Sequence, residues 1–478
     1  MSATGRSSVK PMNGRSGSRP QLIVAANRLP VRRVETPDGS RWETSPGGLV
    51  SALAPVLRER DDAVWVGWAG NTGPAPEPFT IDGFDLHPIG LSAANIQQYY
   101  EGFANGSLWP LYHDAIAQPE YHRTWWEAYV RVNHRFADAI ADIAQPDATV
   151  WIHDYQLQLV PAMLRQRMPD LHIGFFLHIP FPARELFLRL PWRTQIVEGL
   201  LGADLVGFQS KVMAHNFRYV VPRLSYGLVT GASIVHGDRT TVAKTFPIGI
   251  DHRRFIDAAE RPDILADIER LRDSIGHPDK VLLGVDRLDY TKGIERRLMA
   301  YRELLSEGRL NAASTVMIQI AEPSRSNVLG YAEIRAQVEQ LVGEINGQFA
   351  TMERPAIHYL HRSHNFDELM AMYRLADVMV VTPYRDGMNL VAKEFVATRV
   401  DDTGSLVLSE FTGASNELKV GALLVNPYDV EGLKDAIAYA VAMPADEQRQ
   451  RMSAMRKIVA RNNAQRWASS FLDVLEAT

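Results

Sequence analysis

The chain has 478 residues, 46% of them hydrophobic and 22% charged, with a formal charge of −5 and no cysteine. That length accommodates about two or three globular domains, and the charge balance excludes the strongly basic surface that nucleic acid or an anionic membrane favours, so any anion site must be local. The lack of cysteine removes disulfides, thiolate nucleophiles and Cys-based zinc sites, and fits a reducing cytoplasm.

In chain order, residues 1–20, MSATGRSSVKPMNGRSGSRP, lack the apolar centre of a signal peptide, and their Ser, Gly, Pro and Arg content predicts a disordered tail. No apolar run reaches the length of a membrane span. Short Val/Ile-rich runs then recur: QLIVAAN, AVWVGWAG, TVWIHD, HIGFFLH and DLVGFQS, followed by KVLLGVDR, STVMIQIA, AIHYLH, DVMVVTPY, SLVLSE and ALLVNP. Most are too short for helices and too uniformly apolar for half-exposed strands, which predicts buried parallel strands. Helical patterns such as RTWWEAYVRVNHRFADAIADI, NVLGYAEIRAQVEQLVGEI and FDELMAMYRLA lie between them. The alternation predicts an α/β chain of two doubly wound, Rossmann-like domains, 21–249 and 250–455. The boundary falls near Phe246 to Phe255, where Pro247 and Gly249 interrupt the pattern. Trp467, Phe471 and Leu475 recur at helical spacing in the last segment, so a C-terminal helix over 456–478 is expected to cross back to the N-terminal domain.

Chemistry concentrates where apolar strands end. DVMVVTPY runs into RDGMN and then the helical LVAKEFVATR. In an open parallel sheet, ligands collect at the carboxyl ends of strands, where helix N-termini offer unpaired N–H groups and partial positive charge. Gly387 allows close backbone approach, the amides around Met388, Asn389, Leu390 and Val391 can meet a phosphate or sugar oxygen, and Asp386 can accept from sugar hydroxyls. Glu394, a little over one turn into the helix, could take the two hydroxyls of a ribose. As a bare pattern this is more often a capping Asp, a turn Gly and a solvated Glu. DRLDYTKG supplies Arg287 and Lys292 beyond another strand end, placed to neutralise a pyrophosphate leaving group or simply to solvate a loop. Gly47 and Gly48 in PGGL could let backbone reach a phosphate or hexose, Arg28 could clamp a phosphate, and Arg325 is a further cation after a strand. His153, Asp154 and His178 end neighbouring strands, while Tyr100 and Trp109 lie in a Gly/Asn/Ser/Pro-rich stretch where an aromatic can cover a sugar face.

Taken in order, ANRLP, PGGL, YYEGFANGSLWP, WIHDYQL, GFFLHIPFP, RLDYTKG and TPYRDGMNLVAKE resemble the trehalose-6-phosphate synthases, retaining glycosyltransferases of family 20, from about Gln21 to the C-terminus. The resemblance implies two Rossmann-like domains facing a cleft (GT-B type) and transfer of glucose to glucose 6-phosphate from UDP-glucose, with ADP- or GDP-glucose as alternative donors. It implies Arg287, Lys292, Asp386 and His178 as catalytic, and Gly47, Gly48, Arg287, Lys292, Met388, Asn389, Leu390, Val391 and Glu394 as donor-binding. Arg28, Tyr100, Trp109, Asp154 and Arg325 match the acceptor site. It implies front-face attack without a covalent nucleophile, so that neither cofactor nor metal is expected. A cytoplasmic homo-oligomer, dimer or tetramer, without nucleic-acid or membrane partners is expected. The alternatives are a catalytically silent sugar-phosphate sensor and a different two-domain retaining glycosyltransferase. A dehydrogenase is disfavoured because no early GxGxxG follows the first strand.

Overall fold

The computed structural model describes residues 10–11, 20–36, 39–45, 47–58, 60–224, 227–324 and 330–478. Every apolar run named above forms a strand, and each core strand pairs in parallel with its neighbours. The chain divides into two compact units, Met1–Pro247 with Trp467–Thr478, and Ile248–Arg466.

In the first unit the parallel strands lie in the spatial order Phe84–Leu91, Ala63–Thr72, Leu22–Arg28, Thr149–His153, His172–Leu177, Leu205–Phe208 and Arg239–Thr245. Antiparallel strands extend both edges. The strand Leu22–Arg28 begins the chain's path in one direction, and Thr149–His153 resumes it in the other. The strand order therefore reverses between them, the place where an open α/β sheet leaves a crevice for ligand. Phe471 of the last helix packs on this sheet, stacking on the fully buried Trp151 at 4.7 Å. Gly174 and Gly207 make the notch it fills, since a Cβ at either would stand 2.6 or 2.7 Å from the Phe471 ring or its neighbour Phe176.

The second unit repeats the logic. Its all-parallel sheet runs Ile357–Leu360, Thr315–Glu322, Lys280–Arg287, Val378–Val381, Ser405–Ser409, Leu423–Val425, so the reversal lies between Lys280–Arg287 and Val378–Val381. Leu282, Met317, Val378, Val380 and Val407 from the strands meet Leu298, Leu304 and Ile437 from the helices in one buried cluster. Continuous burial on the strands explains why their sequences show no polar alternation. Helix Phe366–Leu375 starts at a capping box, with Asn365 and Glu368 exchanging side-chain and backbone hydrogen bonds.

The structure departs from the sequence reading in two places and fills in a third. Lys10–Pro11 pairs antiparallel with Phe79 and Thr80 instead of belonging to a featureless tail, while 1–9 and 12–19 lie outside the described residues. The C-terminal segment is two helices, Ala445–Arg461 and Ala464–Glu476, because Asn463 turns its Oδ1 to the Arg466 amide (2.9 Å) and starts a new helix. Only from Trp467 does the chain belong to the first unit. The stretch around Tyr100, left without a secondary-structure assignment by the sequence, is a 13-residue π-helix, Ile96–Leu108, running into a short α-helix, Trp109–Tyr112. Gly102 and Gly106 there admit the Trp125 ring, which a Cβ would meet at 2.7 and 2.9 Å.

Candidate active site

The reversal point of the first unit gathers Arg28, Asp154 and His178 at the ends of three adjacent strands. Arg28 is exposed, and its guanidinium carbon lies 4.4 Å over the Trp68 ring. Gly70, at φ +95°, provides the room, because a Cβ there would approach the guanidinium to 2.8 Å. Tyr100 stands edge-on to the same Trp68 ring, with centroids 5.7 Å apart. Among the described residues no carboxylate lies within ion-pair distance of Arg28, so its charge is available to an anion. Its neighbour Asn27 is buried and accepts from the Tyr99 hydroxyl at 2.8 Å, fixing the strand end.

Asp154 holds a backbone conformation of φ 75°, ψ 170° that is costly for a residue with a side chain, and such strain collects at functional sites. Its Oδ1 accepts from the His178 amide at 3.2 Å. His178 and the fully buried His153 face one another, Nε2 to Nδ1, at 3.1 Å, and Gln209 Nε2 lies 3.4 Å from the other His178 nitrogen. Burial holds both imidazoles neutral, His153 well below the usual range and His178 down to about 3. Trp109, in contrast, is buried with its ring 4.1 Å from His113 and 5.8 Å from Tyr155. Gly47 is exposed just before the helix Gly48–Arg58, whose first residue is Gly48.

The depressed histidines set a pH dependence. The folded state binds fewer protons than the unfolded chain between about 3 and the ordinary histidine value, so stability is complete above about 6.5 and falls as pH drops through that window. The melting temperature should decline from pH 7.5 to pH 5, and His178→Gln should flatten the decline. An unchanged slope in that variant would show that this pair does not carry the dependence.

In the second unit the reversal point brings Lys292, Asp386 and Asn389 into contact. Lys292 Nζ donates to Asp386 Oδ2 at 2.7 Å with both side chains mostly buried, and Asn389 Nδ2 donates to the same oxygen at 3.2 Å. Asn389, at φ 89°, also caps the helix Leu390–Thr398 by accepting from the Ala392 amide at 3.0 Å. The first amides of that helix, on Leu390 and Val391, belong to the turn that has no intrahelical acceptors. Asp386 and Met388 are clipped to the following strand's exit by Asp386 N to Phe411 O (3.2 Å) and Ala414 N to Met388 O (2.9 Å). Gly413 permits this, because a Cβ there would stand 2.1 Å from the Gly387 carbonyl oxygen. Glu394 is half-buried and accepts from the Tyr373 hydroxyl at 2.9 Å, and burial raises its carboxyl above the ordinary range. Arg287 is exposed at the end of the adjoining strand, and Arg325 lies outside the described residues.

Sequence reasoning missed the supports: Trp68 and Gly70 under Arg28, Tyr373 on Glu394, and Thr412–Gly413 beside Asp386. Only the GWAGN at the end of a strand carried a signal, its glycine placed where a ligand-facing residue needs room. One acidic trio, Glu303, Glu307 and Glu431, has the spacing of a cation site among the described residues, but Lys434 Nζ already donates to all three. Among the described residues no helix is long and apolar enough to cross a membrane.

A sugar nucleotide asks for cations near its diphosphate, helix amides for its phosphate oxygens and carboxylates for its hydroxyls. Two Rossmann-like units furnished in this way are the GT-B class of glycosyltransferases. Residues 20–477 match the family model of glycosyltransferase family 20, and the chain belongs to that family. It is 53% identical over 467 residues to the trehalose-6-phosphate synthase of Mycolicibacterium smegmatis, covering 96% of this chain and 92% of the relative. The Burkholderia xenovorans UDP-forming α,α-trehalose-phosphate synthase, solved with glucose 6-phosphate, superposes with a TM-score of 0.86 at 34% identity, covering 96% of this chain and 100% of the other. The E. coli structure bound with UDP-2-fluoro glucose gives 0.86 at 33% identity, over 96% and 99%.

Proposed function

We propose that the protein makes trehalose 6-phosphate by transferring glucose from UDP-glucose to the anomeric hydroxyl of glucose 6-phosphate, with retention at the donor carbon. The observation that carries this reading is the Lys292–Asp386–Asn389 contact at the mouth of a capped helix, beside the strand that ends in Arg287. The relatives' nucleotide-sugar and glucose 6-phosphate complexes support the two substrates. On this reading Arg287 and Lys292 take the diphosphate with the amides of Leu390 and Val391, while Gly47, Gly48, Met388 and Asn389 line the donor. Asp386 and Glu394 receive donor hydroxyls, and His178 meets the donor glucose as a neutral group. Arg28 and Arg325 hold the acceptor phosphate, and Tyr100, Trp109 and Asp154 bound its sugar.

The chemistry follows from those roles. The bond from the donor anomeric carbon to the phosphate oxygen breaks, and the acceptor hydroxyl attacks from the same face. The departing phosphate oxygen takes the hydroxyl proton, so no protein base is required. The enzyme's contribution is placement and electrostatic stabilisation of growing negative charge. With two side-chain cations in that role, the reading includes no metal requirement, and EDTA should leave the rate unchanged.

The test is a product-identified assay of glucose 6-phosphate against UDP-, ADP- and GDP-glucose. Trehalose 6-phosphate with release of the matching diphosphate is the expected result, fastest with UDP-glucose. Absence of turnover with every donor, while both substrates bind, would favour a sugar-phosphate sensor instead.

A further inference from the structure

Arg297 has a place in the fold that its position in the helix Ile294–Ser306 would not suggest. It is fully buried, and so is its ion-pair partner Asp286. One nitrogen, Nη1, donates to Asp286 Oδ2 at 2.8 Å and to Gln319 Oε1 at 2.9 Å, while Nε donates to Thr382 Oγ1 at 3.2 Å. These three acceptors belong to three adjacent segments of the parallel sheet. Asp286 immediately precedes Arg287, Gln319 lies in the neighbouring strand Thr315–Glu322, and Thr382 follows strand Val378–Val381 at the root of the loop that carries Asp386. Gly284 is shaped to the same side chain, since a Cβ there would stand 2.1 Å from Nη1.

Thr382 passes the constraint on. Its hydroxyl also reaches the Gly293 carbonyl at 3.3 Å, and the Tyr384 amide donates to the Thr291 carbonyl at 2.8 Å. The turn bearing Lys292 is thereby pinned to the segment that leads to Asp386. Gly293, at φ +59°, lets the two backbones meet, because a Cβ would stand 2.3 Å from the Thr382 carbonyl oxygen.

We propose that Arg297 is a positioning residue of the donor half-site, fixing Arg287, Lys292 and Asp386 relative to one another for the leaving diphosphate. This rests on the diphosphate role proposed above for Arg287 and Lys292. A buried ion pair is commonly no more stabilising than an apolar pair of the same volume. What the planar, forked guanidinium supplies that an apolar side chain cannot is a fixed direction to several acceptors at once. A lysine ammonium keeps the charge and loses the fork.

The test compares Arg297→Lys and the charge-balanced pair Asp286→Asn with Arg297→Met, each also combined with Arg287→Ala. Both are expected to keep a cooperative melting transition and lower kcat by roughly tenfold or more, in line with the cost of slight misplacement, while KM for glucose 6-phosphate stays within about twofold. The loss should be smaller in the Arg287→Ala background, because Arg287 is one of the three residues that Arg297 positions and its share of the effect is already gone there. A folded variant with wild-type kcat, or a loss of equal size in both backgrounds, would overturn the proposal. So would the absence of a native transition in both variants, since Arg297 would then be a general support of the fold. Arg287→Ala alone separates the two readings: if it turns over normally, the diphosphate role itself is wrong.

Discussion

Alanine at Lys292 should lower kcat by roughly a hundredfold or more, the scale seen when a preorganised electrostatic contact to developing charge is removed. Lys292 is mostly buried and already directed by Asp386 at 2.7 Å, so it needs little reorganisation to meet a phosphate oxygen. Its removal also leaves Asp386 as a buried carboxylate without its cation, and part of the effect will therefore be lost stability. Arg287→Ala provides the cleaner comparison. Arg287 is exposed, so its substitution should leave the melting temperature nearly unchanged while kcat falls by a similar factor. Turnover within about fivefold of the parent in both variants would remove these two residues from the leaving-group role.

The second large effect concerns the acceptor. Arg28→Ala should raise KM for glucose 6-phosphate by roughly ten- to a hundredfold, corresponding to about 1.5–3 kcal/mol for charge-assisted hydrogen bonds. KM for the nucleotide sugar should stay near its original value, and any turnover measured with unphosphorylated glucose as acceptor should be little affected. That last comparison isolates the phosphate. The guanidinium rests on Trp68 with Gly70 beneath it, so the substitution removes a cation without uncovering a buried carboxylate. A parallel rise in both KM values would point to collapse of the Trp68 and Tyr100 shelf instead.

Much of this architecture was readable from residues. The Val/Ile runs declared buried parallel strands because no face of them meets water, and the order of strand ends located Arg28, Asp154, His178, Arg287, Lys292 and Asp386 at carboxyl edges. The contacts among those residues were not readable. Nothing in ERRLMAY distinguishes Arg296, whose Nε donates to the Tyr384 hydroxyl, from Arg297, which is fully enclosed. That difference arises from helix phase against a particular sheet. The π-helix was not readable either, because Gly102 and Gly106 interrupt any helical pattern in the sequence, whereas in the fold they are shallow places for the Trp125 ring. The antiparallel pair Val31–Thr36 and Gly39–Thr44 was missed although the PDG at its junction reads in the sequence as a turn signal of known mechanism.

The notch cut by Gly174 and Gly207 has a consequence for how the protein is made. Phe471, which fills it, follows the whole of the second unit in the chain. The first unit is thus a discontinuous domain with the second inserted into it, so the sheet carrying Gly174 and Gly207 and the helix carrying Phe471 lie on opposite sides of the insertion. During synthesis the notch cannot receive Phe471 until the whole of the second unit has been translated, an interval of some tens of seconds at about 5–20 residues per second.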